Sequence, residues 1–396
     1  MKNVTSLASG AVTALVLSLG LAGGAAAEDF EWPRLLVIGT PGTSSGSFAS
    51  TNGWGPILQK ETGTTVRIVP EDSETQRYRR LTDREDIAIS SVSASEMRYQ
   101  IQGIDGYSQT KPVAQRILWH HNDTPWGYVV AGDSPVKSVQ DIKNGGVRIT
   151  QGVFSPPMVS AVTVGLPAML GMSEDEVAEK IEFVPASSYA ENCRSVVEGK
   201  SDIAYCSPIS SVLSEMEGAP GSIRWLDLDP SDKEGWNAYL AERPMLIPAE
   251  IEMGVKTARG VNGATSNFVY SVPATADVDF AYNMAKWFHE SFDAYKGTHP
   301  LATRMSMDQF RKYLNRTPLP VHEGTVKYLR EIGQWSDEDD TWNNKAIETM
   351  DAWIAARQEA LKAAQEQGIE VNFENQEFLD LMKEKTAGVE NFQSRL

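Results

Sequence analysis

Short loops rich in glycine, serine and threonine follow four of the apolar segments in this sequence. They cover residues 40–47, 90–93, 150–155 and 206–210. Hydroxyl groups and free backbone amides at the start of a helix can hold a small anion without any covalent chemistry. One such loop alone is usually a helix cap, but four that face a common cleft would form a binding site. The candidate ligand contacts in these loops are Ser44, Ser47, Ser93, Thr150 and Phe154.

Residues 42–46 read Gly-Thr-Ser-Ser-Gly and match the G-x-S-x-G pattern of a nucleophile elbow. In a hydrolase, Ser44 would be the nucleophile and one of the five histidines would be its base. The sequence has no His-Gly-Gly oxyanion motif, and no motif marks any one of the histidines. A secreted serine hydrolase is therefore one interpretation of this loop, and a turn that holds an anion is the other.

Motifs for metals and cofactors are missing from the sequence. His120 and His121 are adjacent, and neighbours in a strand point to opposite faces, so they cannot easily share an ion. The sequence contains no Walker A loop, no HExxH, no G-x-G-x-x-G and no EF-hand loop. We therefore expect neither a metal nor a cofactor. An arginine could instead grip a ligand carboxylate, and the candidates are Arg67, Arg79, Arg98 and Arg116.

The composition is that of a globular protein with an acidic surface. The 396 residues are 41% hydrophobic and carry 36 lysines and arginines against 53 aspartates and glutamates, for a formal charge of −17. A chain of this length has room for two or three domains. Phosphate backbones would repel this charge, so we expect no nucleic-acid partner. The last sixty residues hold 6 basic and 14 acidic side chains, which is nearly half of the excess.

Residues 1–27 have the pattern of a secretory signal peptide. A basic residue precedes an uncharged apolar stretch, and three alanines ending at Ala27 precede the first acidic residues. Glycines interrupt the apolar stretch, which favours a cleaved signal over a retained anchor. We expect cleavage after Ala27 and a mature protein in a bacterial periplasm. An oxidising compartment allows Cys193 and Cys206 to form a disulfide, although two buried thiols are the alternative.

Strands and helices alternate along the chain, which predicts an α/β fold with two lobes. Lobe 1 is expected at residues 28–125 together with 250–335, and lobe 2 at residues 126–249. An acidic, helical C-terminal extension is expected at residues 336–396.

The chain is expected to cross between the lobes twice. Two extended segments, 117–120 and 128–131, lie around residues 123–126 at the first crossing, and the proline-rich residues 244–248 form the second. Two lobes joined in this way can hinge over a cleft. Trp126 lies at the first crossing, where it would either pack between the lobes or face a ligand.

Several segments resemble the solute receptors of TRAP transporters, specifically the TAXI group (TRAP-associated extracytoplasmic immunogenic proteins). The matching segments are residues 38–43, 86–91, 199–204 and, most specifically, 318–333. The resemblance implies a periplasmic-binding-protein-like, Venus-flytrap fold. It also implies a receptor that captures a small organic anion or amino acid and delivers it to a TRAP-type membrane permease.

By position, the resemblance places six further residues in the cleft loops: Thr43, Phe48, Ser91, Gly152, Ser155 and Ser207. The sequence departs from the family after the second strand, where a Thr-Gly-Gly-Ser loop is replaced by Glu-Asp-Ser-Glu at residues 71–74. This change brings acidic side chains near the cleft. We expect a receptor without enzymatic activity, and the alternatives are the Ser44 hydrolase and a periplasmic sensor module that binds the same ligand.

Overall fold

The computed structural model describes residues 1 and 30–392, so the predicted signal peptide beyond Met1 and its cleavage site lie outside the described residues. The chain divides into two units, Met1–Glu31 and Trp32–Leu396. The strands of the second unit are β1 Leu35–Thr40, β2 Thr65–Pro70, β3 Ile89–Ser93, β4 Gln115–Ala131, β5 Val147–Gly152, β6 Ile181–Ala186, β7 Ala204–Cys206, β8 Ile223–Leu226, β9 Leu246–Glu250 and β10 Asn262–Pro273.

Helices connect most of these strands. The α-helices are α1 Gly46–Thr62, α2 Glu74–Thr82, α3 Ala94–Gln102, α4 Pro156–Ser160, α5 Leu166–Leu170, α6 Glu174–Lys180, α7 Tyr189–Arg194, α8 Ser211–Gly218, α9 Lys233–Glu242, α10 Val278–Glu290, α11 Phe292–Tyr295, α12 Met307–Leu314, α13 Glu323–Glu331, α14 Asp337–Gln367 and α15 Gln376–Lys385. Short 3₁₀ turns cover Asp105–Gln109, Val139–Asn144, Lys256–Ala258 and Pro300–Met305, and a π-helical turn, Ala161–Gly165, joins α4 to α5.

The largest sheet has eight strands in the order β2-β1-β3-β10-β4-β7, with β8 on β4 and β9 on β10. β1, β2 and β3 are parallel, whereas β10 runs antiparallel to both β3 and β4. β5 and β6 form a separate parallel pair, and a bridge from Ile149 to Ile203 joins it to the segment that precedes β7.

Two hydrophobic cores divide the second unit, and the two longest strands take part in both. The first core contains Trp119 of β4 and Val269 of β10, and the second contains Tyr128 of β4 and Ala264 of β10. The second core therefore continues past residue 249, where lobe 2 was expected to end. Each core has its own strands and helices, so the α/β, two-lobe fold class predicted from the sequence is confirmed.

Three segments differ from the sequence prediction. Residues 115–131 form one continuous strand, because Asp123 to Trp126 pair with β10 instead of separating two shorter strands. Residues 246–250, which overlap the expected proline-rich crossing at residues 244–248, form β9, and this strand also pairs with β10. β3 lies at residues 89–93, so it includes residues 90–93, which were expected to form a loop, and all five of its residues are buried although three of them are serines.

The C-terminal extension consists of two helices that pack on lobe 1 and on each other. Met350, Trp353 and Ile354 of α14 join the core of lobe 1, and the last part of α14 forms a small core with Phe378 and neighbouring residues of α15. A capping box at Ser336 starts α14. The predicted helical extension is therefore present in the described residues.

A buried arginine holds the extension against lobe 1. Arg357 is fully buried, and its guanidinium donates to the carbonyl oxygens of Gln100, Ile101, Tyr107 and Thr110 at 2.6–3.3 Å. These carbonyls lie at the end of α3 and in the following turn. Gly103 ends α3 with φ +67°, and a Cβ there would lie 2.3 Å from the Arg357 Nε, so both its conformation and the close approach require glycine.

Within residues 30–392, no single helix has the length and apolar character needed to cross a bilayer. A sharply bent pair, Pro156–Leu170 with Glu174–Lys180, meets that test on length and composition alone.

Replacing Arg357 should destabilise the protein strongly, because four buried carbonyl oxygens would lose their donor. We expect Arg357→Met to lower the free energy of unfolding by about 3–5 kcal/mol in urea denaturation. The control is Lys362→Met on the same helix, where an exposed side chain makes only a surface ion pair, and we expect a loss below about 0.5 kcal/mol. A loss below about 1 kcal/mol for Arg357→Met would contradict this role.

Candidate functional site

A cavity of about 70 Å³ lies between the two lobes. The loops of both lobes face β4 and β10, the two strands that the lobes share. Thr124 and Trp126 of β4 and Ser266 and Phe268 of β10 form the base of the cavity. Lobe 1 contributes Pro41, Gly42, Ser45, Gly46, Ser47, Asp72, Glu74, Arg77, Ser93 and Ser95. The remaining wall, mainly from lobe 2, is Phe154, Ser155, Pro157, Met158, Tyr189, Tyr205, Ser207, Ile209, Ser210, Arg243 and Leu246.

Serine caps explain why four helices begin at or beside this cavity. The hydroxyls of Ser45, Ser73, Ser93 and Ser155 accept hydrogen bonds from the backbone amides of the first turns of α1, α2, α3 and α4. Capping satisfies amides that a helix start would otherwise leave unpaired. The caps therefore fix the backbone of the cavity wall, and their oxygens are largely occupied in doing so.

Tyr189 holds the loop that follows β7. Its hydroxyl accepts from the Ser207 amide at 2.8 Å and from the Ser210 hydroxyl at 3.0 Å, and it donates to the Ser207 carbonyl at 3.3 Å. Burial raises the pKa of Tyr189 to about 12, so the phenol stays neutral. This leaves the side-chain oxygen of Ser207 free to face the cavity.

An ion pair supports the cavity from the side of lobe 1. Arg77 of α2 and Glu96 of α3 are both almost fully buried, and the guanidinium contacts the carboxylate at 2.5 Å. Gln100 donates to the other oxygen of Glu96 at 2.7 Å. Burial raises the pKa of Glu96, and Arg77 opposes that rise. The charge of Arg77 is therefore already balanced by Glu96.

Two further carboxyl groups enter the cavity, Asp72 from the loop after β2 and Glu74 from the first position of α2. Burial, and then the charge of Glu96, raise the pKa of Glu74 well above its usual range. Burial and the neighbouring Glu71 raise the pKa of Asp72. Oxygen Oδ1 of Asp72 and oxygen Oε2 of Glu74 are buried and have no hydrogen-bond partner. Both groups would gain from a donor that enters the cavity.

Arg243 is a buried cation in the wall opposite these acids. Its guanidinium donates to the hydroxyls of Tyr205 and Tyr239 at 3.2 and 2.6 Å and to the carbonyl of Pro157 at 2.9 Å. It also lies 5.1 Å from the centre of the Tyr205 ring. Among the described residues, no carboxylate forms an ion pair with Arg243, so its charge is uncompensated within the wall.

Several polar atoms of the residues that line this cavity lack a hydrogen-bond partner. Five of its lining residues have a buried side-chain atom without a hydrogen-bond partner in the described structure: Asp72 Oδ1, Glu74 Oε2, Arg77 Nε, Trp126 Nε1 and Ser207 Oγ. Buried polar groups are almost always paired in folded proteins, so a cluster of unpaired ones needs an explanation. A polar molecule bound between the lobes would supply the missing partners.

A family model matches residues 38–333, about three quarters of the chain. The chain belongs to the NMT1-like family. The match ends before α14, so the C-terminal extension lies outside the part that this NMT1-like protein shares with the family model. No curated protein matches the sequence.

Solved structures with distant likeness include several binding proteins. Methylphosphonate-bound PhnD1 from Prochlorococcus marinus is 9% identical with a TM-score of 0.47, over 77% of this chain and 100% of its own. Alkanesulfonate-binding SsuA from Xanthomonas axonopodis pv. citri, bound to MOPS, is 13% identical with a TM-score of 0.39, over 86% and 96%. A Candida albicans gene product described as having the generic periplasmic binding protein fold is 13% identical with a TM-score of 0.41, over 79% and 94%.

The structure brings half of the predicted site residues of this NMT1-like protein together. Six of the twelve line the interlobe cavity: Ser47, Ser93, Trp126, Phe154, Ser155 and Ser207. They come from four different loops and from the shared strand β4. Loops distant in the sequence therefore meet at one place, as the expected cleft requires.

The other six lie elsewhere and have other partners. Thr43 is exposed, and Phe48 lines a separate groove between α1 and β2. Ser91 is buried against His121, with 3.1 Å between its hydroxyl and Nδ1. The Thr150 hydroxyl contacts those of Ser195 and Ser201 inside lobe 2. The remaining two are Ser44 and Gly152.

Gly152 acts through its lack of a side chain, because a Cβ would lie 2.9 Å from the Phe154 ring and 3.2 Å from the Asn192 amide oxygen. Ser44 is half-buried, and its carbonyl accepts from the Ser211 hydroxyl at 3.2 Å. None of the five histidines shares a hydrogen bond with the Ser44 side chain in the described structure. The G-x-S-x-G segment forms the cap of α1 through Ser45, without the base that a nucleophilic serine needs.

The arginines at the cavity are not those that the sequence suggested. Arg77 and Arg243 line it, whereas Arg67, Arg79, Arg98 and Arg116 do not. Arg116 pairs instead with Asp351 of α14, and Arg98 lies in a smaller neighbouring pocket. Type and spacing gave no signal for this difference, since it depends on burial by distant elements.

Within the described residues, no group of three or more histidine, cysteine or acidic side chains is placed to hold a metal ion. Cys193 and Cys206 form a disulfide in the structure, with Cα atoms 6.0 Å apart. It joins α7 to the end of β7, directly before the cavity residue Ser207.

Removing Arg77 should leave Glu96 as a buried, unpaired charge. We expect Arg77→Met to lower the free energy of unfolding by about 3–5 kcal/mol at pH 8, measured by urea denaturation. The double variant Arg77→Met/Glu96→Leu should lose less than the single variant, since no buried charge remains.

The pH dependence separates this charge effect from lost packing. An unpaired Glu96 binds a proton more tightly in the folded protein than in the unfolded chain, so the loss in Arg77→Met should shrink as the pH falls from 8 to 5. A loss that stays constant over this range, or a double variant as unstable as the single one, would assign the effect to packing.

Proposed function

We propose that this protein is a periplasmic substrate-binding protein that captures a small organic acid or amino acid between its lobes. It delivers this solute to a membrane permease of the TRAP type. The observation that carries the proposal is the group of five unpartnered polar atoms in the interlobe cavity. Each would be costly to leave buried, by about 1–3 kcal/mol, and a bound solute would remove that cost.

Two features of the cavity favour a charged solute over a neutral one. Arg243 lacks a carboxylate partner among the described residues, and the indole N–H of Trp126 lacks an acceptor. Both donors suit a carboxylate. The aromatic and aliphatic side chains of Phe154, Met158 and Phe268 exclude water around them, which strengthens such contacts.

Contacts between the lobes at the cavity suit a receptor that encloses its ligand. The Glu74 amide of lobe 1 donates to the Phe154 carbonyl of lobe 2 at 3.3 Å, and the Ser211 hydroxyl donates to the Ser44 carbonyl at 3.2 Å. Individual hydrogen bonds of this kind can break when the lobes part. The continuous strands β4 and β10 would carry the hinge motion.

Family membership supports a binding function, since the NMT1-like family is a family of periplasmic-binding-protein-like substrate-binding proteins. The signal-peptide pattern supports the periplasmic location. The TAXI resemblance at residues 318–333 supports a TRAP-type permease as partner. Against the hydrolase alternative, Ser44 shares no hydrogen bond with a histidine in the described structure and does not line the cavity. A sensor would use the same cavity and differ only in its partner.

Trp126→Phe tests the cavity directly, because it keeps an aromatic side chain and removes the unpartnered N–H together with part of the indole ring. The probes are leucine, glutamine, glutamate, 2-oxoglutarate and 4-methyl-2-oxopentanoate, screened by thermal shift and then titrated by calorimetry. At least one should raise the melting temperature. Trp126→Phe should weaken its binding by about tenfold or more.

The matched control is Trp225→Phe, since Trp225 also has a buried indole nitrogen without a partner but lies outside the cavity. We expect its affinity to stay within about twofold of the wild type. Absence of any thermal shift with these probes, or equal effects of the two substitutions, would count against capture in this cavity. Ser44→Ala should bind like the wild type.

A further inference from the structure

We infer that the captured solute is a zwitterion, with its acid group at Arg243 and Trp126 and a cationic nitrogen at Asp72 and Glu74. The inference rests on the proposed function and narrows it from organic acids in general to small amino acids without an additional negative charge. It follows from the positive charge on the side of lobe 2 and the acidic groups on the side of lobe 1, which are described in turn below.

The charges at the cavity do not cancel within each wall. On the side of lobe 1, Arg77 pairs with Glu96 and its charge also acts on Asp72 and Glu74, so one cation faces three acids. Arg243 remains as a cation on the side of lobe 2, and Asp72 and Glu74 remain as acids on the side of lobe 1. A dicarboxylate would satisfy the cation but would also face the acids. A molecule with one positive and one negative group satisfies both walls.

The acidic wall is built to accept hydrogen bonds. Asp72 Oδ1 and Glu74 Oε2 are buried, unpartnered and directed to the same cavity. Asp72 lies so close to Gly42 that a Cβ there would meet its carboxylate, so the backbone at Gly42 leaves room for this side chain. An ammonium group has three N–H donors and a positive charge, which suit two such oxygens.

The wall opposite the two acids carries two hydrogen-bond donors, Trp126 and Arg243, and both pack on one aromatic ring. The Trp126 ring stacks on that of Tyr205 with centroids 5.0 Å apart and planes 13° apart. Arg243 lies over the same Tyr205 ring, 5.1 Å from its centre. Tyr205 therefore holds both donors in place, and a carboxylate can accept from each of them.

Binding of a cationic nitrogen should also release a proton. Burial and Glu96 raise the pKa of Glu74 well above its usual range, which favours the neutral acid before binding. The titratable groups around Glu74 are Asp72 in the preceding loop, Arg77 on the same helix, Glu96 on α3 and Tyr107 in the turn after α3. A bound ammonium favours the ionised form, so affinity for the zwitterion should increase with pH.

The test compares matched pairs that differ in the nitrogen. Leucine is compared with 4-methyl-2-oxopentanoate, and glutamate with 2-oxoglutarate, by titration calorimetry on the wild-type protein. Glutamine is compared with glutamate for the effect of an added negative charge. We expect the amino member of each pair to bind at least tenfold more tightly, and glutamine to bind more tightly than glutamate. Binding of the amino member should release protons in buffers of different ionisation enthalpy.

Variants then assign the preference to the acidic wall. Asp72→Asn/Glu74→Gln should reduce the preference for the amino member to less than about threefold and abolish proton release. The control Glu370→Gln removes an exposed carboxylate from the loop between α14 and α15 and should change neither quantity. Because the wild-type comparison uses no variant, poor folding of the double variant would not prevent a decision.

Each outcome decides one of the two proposals. Equal or tighter binding of the oxo acids, or of glutamate over glutamine, would overturn the zwitterion inference and leave the capture of organic acids intact. Retention of the amino preference in the double variant would also overturn it. Failure of every probe to bind the folded protein would overturn the proposed function itself and this inference with it.

Discussion

Unpartnered hydrogen-bonding groups at one place between two lobes are the constraint on which this account depends. Folded proteins pair nearly all of their buried polar atoms. Here the Trp126 indole nitrogen, the Ser207 hydroxyl and the Nε atom of Arg77 lack partners on one cavity, together with one oxygen from each of two acids. The capping serines around them are satisfied. This contrast is the basis of the proposal that a bound molecule supplies partners to the unpaired atoms.

The two strands that both lobes share, β4 and β10, explain why residues so distant in sequence meet at the interlobe cavity. β4 and β10 run through both hydrophobic cores, and alternate residues of a strand face opposite sides. Thr124 and Trp126 face the interlobe cavity, whereas Asp123 lies on the other side and pairs with Arg304 at 2.6 Å. One face of β4 therefore lines the cavity, and its other face forms an ion pair with lobe 1. The loops of both lobes are fixed relative to this shared element.

Much of the fold could be predicted from the sequence, and the failures have physical causes. β1, β2, β5 and β6 are recognisable because they are compact runs rich in β-branched residues. Residues 90–93 were predicted to be a loop because three of them are serines. They belong to β3, and its position between β1 and β10 buries them. The segment around Pro125 looks like a break between strands, but its pairing with β10 keeps it extended.

The candidate site was harder to predict than the fold. Loop composition located Ser47 and Ser93, since glycine and serine mark turns at strand ends, and the family resemblance located Ser155 and Ser207. It could not select Arg77 or Arg243 among the arginines. Burial of Arg77 depends on Glu96, nineteen residues away, and Arg243 depends on Tyr205 and Tyr239 from other elements. Residue types and their spacing in the sequence do not show which distant side chains will be in contact in the fold.

The most direct test of the central claim is the indole N–H resonance of Trp126 in a ¹H–¹⁵N NMR titration. The chain has ten tryptophans, and Trp126→Phe and Trp225→Phe would assign the two relevant signals. With the solute that raises the melting temperature most, the account predicts a large shift of the Trp126 indole signal and an unchanged Trp225 signal. A saturating solute that stabilises the protein but leaves the Trp126 signal in place would contradict the account.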